Sequence, residues 1–274
     1  VVGVLVPAAA RGAAMQPVPP APAVSALPLL TPRASESIIT LAWGHGIPVW
    51  SVGGLSSTAV RQSLTALNLD VALVACFPRL IPPDLLAMPR HGWLNLHPSP
   101  LPALRGPEPL FWTFRMGLRD TAVTLHWLDE GLDTGDIARQ TPLALPDGIS
   151  GPAADRLCAQ LGGELMAQTL AALAAGTQPR RAQPPGGSYQ PSPTTDDFAL
   201  DTAWPARRAF YFMRGTAVWG QPYRVEVAEQ VVWLATAVSF DADEVLARPL
   251  LLTGDVAAIQ FTPGVLRVRL AGGV

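Results

Sequence analysis

Apolar runs of strand length alternate with stretches of helical spacing over most of the chain. Val1 to Val6 is an apolar run of strand length. Pro7 to Pro32 is dominated by alanine and proline, and a proline every few residues removes donors and fixes φ, so a long loop or a disordered segment is expected there. Ser35 to Gly46 places Ile38, Ile39, Leu41, Ala42 and Trp43 at helical spacing and ends on glycines. Ile47 to Trp50 predicts a short strand, and Ser57 to Leu67 a surface helix with Leu64 and Leu67 inward. Asp70 to Cys76 is almost uniformly apolar, which predicts a strand buried on both faces of a parallel sheet. Phe77 to Pro82 leaves it as a proline-bounded loop, followed by a brief helix over Asp84 to Met88 and another over Pro107 to Gly117.

The stretch from Gly92 to Asp136 organises the rest. Side chains alternate faces along a strand, so Asn95 and His97 share one face while Leu94 and Leu96 turn to a core. Pro98 and Pro100 end that strand, and the ends of parallel strands are where open α/β sheets bind ligands. Thr121 to Leu128 alternates as a second strand. The turn cluster Gly131 to Asp136 then returns the chain into Ile137 to Leu145. Asp133, in that turn, is expected to face the Asn95/His97 wall. A carboxylate beside an imidazole favours imidazolium, fixes the ring and can relay a proton.

Downstream, Gly151 to Gly176 is the longest helical pattern, with a stripe of Leu157, Leu161, Leu165, Met166, Leu170 and Leu173. Proline, glycine, glutamine and serine then dominate, which is linker composition. Trp204 to Met213 reads as a helix. Tyr223 to Val227, Val231 to Val238, Pro249 to Leu252, Ala257 to Phe261 and Val265 to Leu270 read as short strands, suggesting a small barrel. The expected layout is an α/β domain over residues 1–177, a linker over 178–200 and a β domain over 201–274.

Composition narrows the chemistry. At 274 residues with 49% hydrophobic and 15% charged content the chain folds around a large core, and no apolar run reaches the ~20 residues that cross a bilayer. Its 19 basic residues, all arginine, face 21 acidic ones for a net charge of −2, which carries no global signature of nucleic-acid binding. Cys76 and Cys158 show no pairing or metal spacing, so both are expected to be buried thiols of a reducing cytoplasm. Four histidines without close ligand spacing argue against a metal site. His126 is expected to be structural, and His45 and His91 solvated. Ser99, between two prolines, lacks the elbow of a serine nucleophile. No Gly-x-Gly-x-x-Gly fingerprint is present.

At Asn95, His97, Pro98, Ser99, Leu101, Pro102, then Arg105 and Gly106, then Leu132, Asp133 and Gly135, the sequence resembles the formyltransferases that use 10-formyltetrahydrofolate, the methionyl-tRNA enzymes among them. Pro100 stands where that pattern has a leucine. The resemblance implies a Rossmann-like parallel-sheet domain whose first βα unit is expected to be missing, since Val1 to Val6 corresponds to the second strand. It also implies a C-terminal OB-like barrel. By the same resemblance Asn95, His97 and Asp133 are catalytic. Phe77, Arg79, Leu80 and Ile81, with Leu128, Asp129, Glu130 and Leu132, hold the folate. The implied reaction moves a formyl group from 10-formyltetrahydrofolate to a primary amine without a metal. Domain layout points to initiator methionyl-tRNA as acceptor, with Arg180, Arg181, Arg207, Arg208 and Arg214 as its expected contacts; the balanced charge, with only Arg11 and Arg33 in or beside the long loop, points to a small amine such as an aminosugar nucleotide. A hydrolase of the same folate and a non-catalytic folate-binding module are the other readings.

Overall fold

The computed structural model describes residues 1–8, 15–20 and 37–272. The chain forms two compact units: Val1–Asn95 with Leu128–Glu130, and Leu96–Trp127 with Gly131–Val274. Arg11, Arg33 and most of the long Ala/Pro stretch lie outside the described residues.

In the first unit, strand β1 (Val4–Pro7) is followed by a two-residue strand β2 (Gln16–Pro17), helix α1 (Ile38–Gly44) and strand β3 (Val49–Val52). β1 and β2 flank β3, the first parallel with Val4 opposite Val49, the second antiparallel with Gln16 opposite Ser51. A regular pairing thus occurs within the proline-rich stretch, because an edge strand tolerates a residue with no N–H to donate. Helix α2 (Thr58–Ala66) begins at Ser57, whose hydroxyl accepts the Val60 N–H at 3.2 Å, and it buries Val60 and Leu64. Ser37 caps α1 in the same way. Strand β4 (Ala72–Val74) runs parallel to β5 (Trp93–His97), with helix α3 (Pro83–Leu86) between them in sequence. Val52, Leu55, Val60, Leu64, Leu85 and Trp93 form the core, where the Trp93 indole donates to the Leu85 carbonyl at 2.7 Å.

The strand expected over Asp70 to Cys76 is corrected by this structure. Only three residues pair, Leu73 remains 40% exposed, and Cys76 is exposed at φ +51° instead of buried. The chain bends out of the strand at Ala75, before a second face can be covered.

In the second unit, helix α4 (Pro109–Arg115) precedes an antiparallel pair, β6 (Asp120–Trp127) and β7 (Ile137–Ala144), whose register slips between Leu125 and His126. Helix α5 (Gly151–Ala174) buries Gly151, Ala154, Cys158, Gly162, Leu165 and Thr169. Of the predicted stripe Leu165 is buried, Leu157, Leu161, Met166 and Leu173 are half-buried and Leu170 is exposed, so small residues share the inward face with it. The reason is close approach: a Cβ on Gly162 would lie 2.3 Å from the Leu96 side chain, so small residues set the buried face.

After α5 come β8 (Ala199–Leu200), helix α6 (Ala206–Thr216) and strands β9 (Tyr223–Val227), β10 (Gln230–Asp241), β11 (Leu250–Thr253), β12 (Val256–Gln260) and β13 (Val265–Leu270). They form one sheet of order β11-β12-β13-β10-β9-β8, in which β8 pairs parallel and the others antiparallel. Where a small barrel was expected, this order does not close on itself among the described residues. Phe111 and Trp112 of α4, Ala154 of α5 and Phe212 of α6 share a core with Phe198, Tyr223 and Leu234. Phe111 and Phe212 meet edge to face at 5.6 Å between centroids, an arrangement favoured by the ring quadrupole. No helix is long and apolar enough to cross a membrane among the described residues.

Candidate active site

Asp133 sits at the tip of the turn between β6 and β7, in the left-handed region at φ +54°, with 14% of its side chain exposed. Three groups of the same unit surround its carboxylate. The Gly106 N–H donates to Oδ2 at 2.8 Å, His97 Nδ1 lies 3.7 Å from Oδ2, and His126 Nε2 lies 3.4 Å from Oδ1. Gly106 is required where it stands, because its φ is +99° and a Cβ would lie 2.2 Å from the Gln190 carbonyl.

His97 is buried at the end of β5, and its Nε2 is 2.8 Å from the Leu104 carbonyl. A carbonyl only accepts, so Nε2 carries the hydrogen and Nδ1 faces Asp133. Burial pushes the imidazole below the ordinary histidine value, over the opposing pull of Asp133 and the Leu104 carbonyl and with the help of His126. The expected imidazolium is thereby corrected: desolvation outweighs a carboxylate beyond hydrogen-bond reach, and His97 is neutral near pH 7. For Asp133 burial acts to raise the pKa, yet the His126 hydrogen bond, the His97 charge, the Gly106 N–H and the His126 charge together hold it at about 2. These two assignments compete for the same proton. The direction that stands is an ionised Asp133 beside a neutral His97, because the Gly106 N–H favours the carboxylate in either state of the ring.

His126 was expected to be structural. It is fully buried, its Nδ1 2.9 Å from the Trp127 carbonyl, and it presents Nε2 to Asp133. The register slip at Leu125/His126 accompanies that presentation, and periodicity alone cannot reveal a slipped ladder. The rings of His97 and His126 stand edge to face at 6.2 Å.

The residues after His97 are held by a chain of polar contacts. Ser99 is buried, and its hydroxyl donates to the Ala103 carbonyl at 2.8 Å. Its own carbonyl accepts from Thr124 at 2.6 Å, and Gln140 donates to both Thr124 Oγ1 and the Leu101 carbonyl. Ser99 therefore acts as a loop brace.

Asn95 belongs to the other unit, half-buried on β5 in register with Val74. There Phe77, Ile81 and Leu128 pack on one apolar cluster, while Leu80 is 73% exposed and Asp129 and Glu130 are exposed. Arg79 directs its guanidinium at the carbonyls of Val52, Gly53 and Ala8, so it braces its own loop. Leu132, in the second unit, is exposed.

Among the described residues no group of three or more histidines, cysteines or acids is placed to hold a metal. Of the arginines expected to gather for tRNA, Arg207 pairs with Asp147, Arg208 donates to the Arg115 carbonyl from above the Trp204 ring, and Arg214 donates to the Gly148 carbonyl. Arg180 lies over the Trp127 ring at 4.0 Å, and the Arg181 backbone bridges to Ile137.

Comparison with known proteins gives this geometry a lineage. The chain is 38% identical over 169 residues to the methionyl-tRNA formyltransferase of Synechococcus sp. (strain JA-3-3Ab), covering 61% of this chain and 52% of that protein. It is 38% identical over 191 residues to the enzyme of the same name from Anaeromyxobacter dehalogenans (strain 2CP-C), covering 68% and 61%. The chain thus spans a little over half the length of these curated relatives. Among solved structures, an N-formyltransferase from Helicobacter canadensis crystallised with folinic acid and dTDP-3-aminofucose superposes with a TM-score of 0.65 at 13% identity, over 85% of this chain and 82% of that one. A methionyl-tRNA formyltransferase from Clostridium thermocellum gives 0.54 at 14% identity, over 73% and 86%. At such identities these two speak for the fold alone, an α/β Rossmann-like formyltransferase fold. The model of the formyl transferase family matches residues 8–160, more than half of the chain, and the chain belongs to that family.

Proposed function

We propose that the chain transfers the formyl group of 10-formyltetrahydrofolate to a primary amine, with methionyl-tRNA as the acceptor. The single observation that carries this is the Asp133 carboxylate held between His97, His126 and the Gly106 N–H in a member of the formyl transferase family. The acceptor amine attacks the formyl carbon, and negative charge grows on the formyl oxygen. Asn95, two positions before His97 in β5, supplies an amide N–H to that oxygen, since fixed donors aimed at developing charge are among the largest catalytic contributions. Neutral His97 takes the proton of the attacking nitrogen on Nδ1, and ionised Asp133 stabilises the imidazolium formed. Collapse of the tetrahedral intermediate breaks the bond between the formyl carbon and the folate nitrogen. The proton passes to that nitrogen, leaving the N-formylated acceptor and tetrahydrofolate. Phe77, Leu80, Ile81 and Leu128 offer apolar walls to the pterin, the backbone at Asp129 and Glu130 offers polar contacts, and Arg79 braces the loop.

Support for tRNA comes from the names of the curated relatives and from the run of strands after α6, which we read as an OB-like module over residues 201–274 behind a catalytic part at 1–177. One observation favours a small amine instead: Arg207, Arg208 and Arg214 are engaged inside the second unit. The test offers 10-formyltetrahydrofolate with methionyl-tRNA, with an aminosugar nucleotide, or with no amine, and measures formylated product and formate. Formyl-methionyl-tRNA, with binding that weakens steeply between low and moderate salt, is the expected outcome. Product from the aminosugar nucleotide alone transfers the assignment to that class, and formate released without any amine makes the protein a hydrolase.

A further inference from the structure

The segment after α5 has the composition of a linker, yet Arg181, Gln183, Ser188 and Gln190 bond it to the loops around Asp133. The Arg181 backbone bridges to Ile137, Ser188 accepts the Leu104 N–H on its hydroxyl and donates its own N–H to the Pro102 carbonyl, and the Gln190 N–H donates to the Arg105 carbonyl. Within this strap one side chain reaches both loops that set the Asp133 carboxylate. Gln183 Nε2 donates to the carbonyls of Asp133 and Gly135, each at 2.8 Å, and its Oε1 accepts from Arg105 Nη2 at 2.7 Å and Nε at 3.2 Å. The amide orientation is unambiguous. Turned over, it would set oxygen against two carbonyls and nitrogen against two guanidinium donors.

We propose that Gln183 is a positioning residue for Asp133, acting by tying the Asp133–Gly135 turn to the Arg105–Gly106 loop. Asp133 holds a left-handed backbone in the turn between β6 and β7, and the Gly106 N–H reaches its Oδ2 at 2.8 Å. Those two segments lie 27 residues apart in sequence. Gln183 fixes their separation by bonding the backbone of one and the side chain next to Gly106 on the other. A misplacement of about 1 Å in a reacting group can cost about 100-fold in rate, so a two-loop clamp has direct catalytic consequence.

This inference rests on the reading of Asp133 as part of the reaction, and the test separates the two. Asp133→Asn, Gln183→Leu and Gln183→Glu are compared in the formyl-transfer assay with 10-formyltetrahydrofolate, alongside melting temperature and the NMR titration of His97 in the free protein. Glutamate keeps the acceptor for Arg105 and lacks the donor for the two carbonyls. Both Gln183 variants are expected to lower kcat by about 10- to 100-fold with KM for the folate within about twofold. His97 should titrate lower still as the carboxylate moves away. Wild-type turnover by Asp133→Asn refutes the reading of the site. Loss of turnover in Asp133→Asn with kcat retained in either Gln183 variant overturns the inference alone. A fall in melting temperature with equal loss of folate affinity and turnover, and an unmoved His97 titration, marks a merely structural glutamine and also overturns it.

Discussion

The two compact units secure their candidate site residues in different ways. In the first, the loop carrying Phe77, Leu80 and Ile81 rests on a cluster of six buried residues, and Leu73 and Leu80 remain exposed. In the second, Asp133, His97 and His126 are fixed by polar contacts, in a unit whose buried core includes residues from Leu104 to Val268. A group that must handle a proton needs its partners within tenths of an ångström, which directional bonds provide. A loop that offers apolar walls to a planar ligand needs shape, and tolerates looser anchoring. The difference predicts that substitutions in the second unit have large and specific effects, and those in the loop of the first unit small and additive ones.

The largest effect is expected on stability from Phe212→Ala. Phe212 is fully buried against Phe111, Phe198 and Tyr223, and removing such a ring costs about 3–5 kcal/mol by transfer and cavity terms. Denaturant unfolding measures it. A loss below about 1 kcal/mol would mean that the aromatic cluster is not the common core of α4, α6 and the sheet.

Next comes chemistry. His97→Ala and Asp133→Ala should each lower kcat by about 100- to 1000-fold, the loss of roughly 3–4 kcal/mol of transition-state stabilisation, with folate affinity little changed. Near-wild-type formyl transfer by His97→Ala removes the mechanism proposed for it. His126→Ala should fall between this and the wild type, because its Nε2 meets the Asp133 carboxylate.

How much of this was open to the sequence differs by level. The ordered string from Asn95 to Gly135 was legible because it is local: strand alternation, terminating prolines and a glycine-rich turn are each fixed by neighbouring residues. The serine start of α2 at Ser57 was legible for the same reason. What escaped depends on residues distant in sequence. His126 reads as one more residue of an alternating strand until a register slip aims it at Asp133. Gln183 reads as linker until its bonds 50 residues back to Asp133 are traced. The charge of His97 escaped because a motif shows which groups meet and gives no account of how deeply they are buried.

The titrations sharpen the contrast at an intermediate scale. Asp133 is held at about 2 from an ordinary 3.8, so it stabilises the fold fully above the unfolded value and loses that contribution as pH falls from about 4 to 2. His97 acts earlier and with the same sign. Its folded value is lowered, so below about 6.5 the unfolded state binds more protons and stability falls on acidification, with a slope of at most about 1.4 kcal/mol per pH unit. Unfolding measured from pH 7 to 5 should show this slope in the wild type and not in His97→Gln. An equal slope in both places the titrating group elsewhere.

The smallest effect belongs to the open loop. Leu80 is 73% exposed, so Leu80→Ser should change stability by no more than about 0.5 kcal/mol. If the side chain covers the pterin, the same change should weaken folate binding by about three- to tenfold, the value of burying part of a leucine at ~25 cal/mol per Å². Calorimetry of tetrahydrofolate binding, run beside thermal unfolding, measures both quantities on one preparation. Weakened binding with unchanged stability identifies Leu80 as a wall of the folate pocket. Unchanged binding removes it from the pocket and leaves Phe77, Ile81 and Leu128, which share the underlying cluster, as the apolar surface available to the ring. A loss of stability above about 1 kcal/mol would instead show that the loop is anchored more tightly than its exposure indicates, and the contrast between the two units would have to be redrawn.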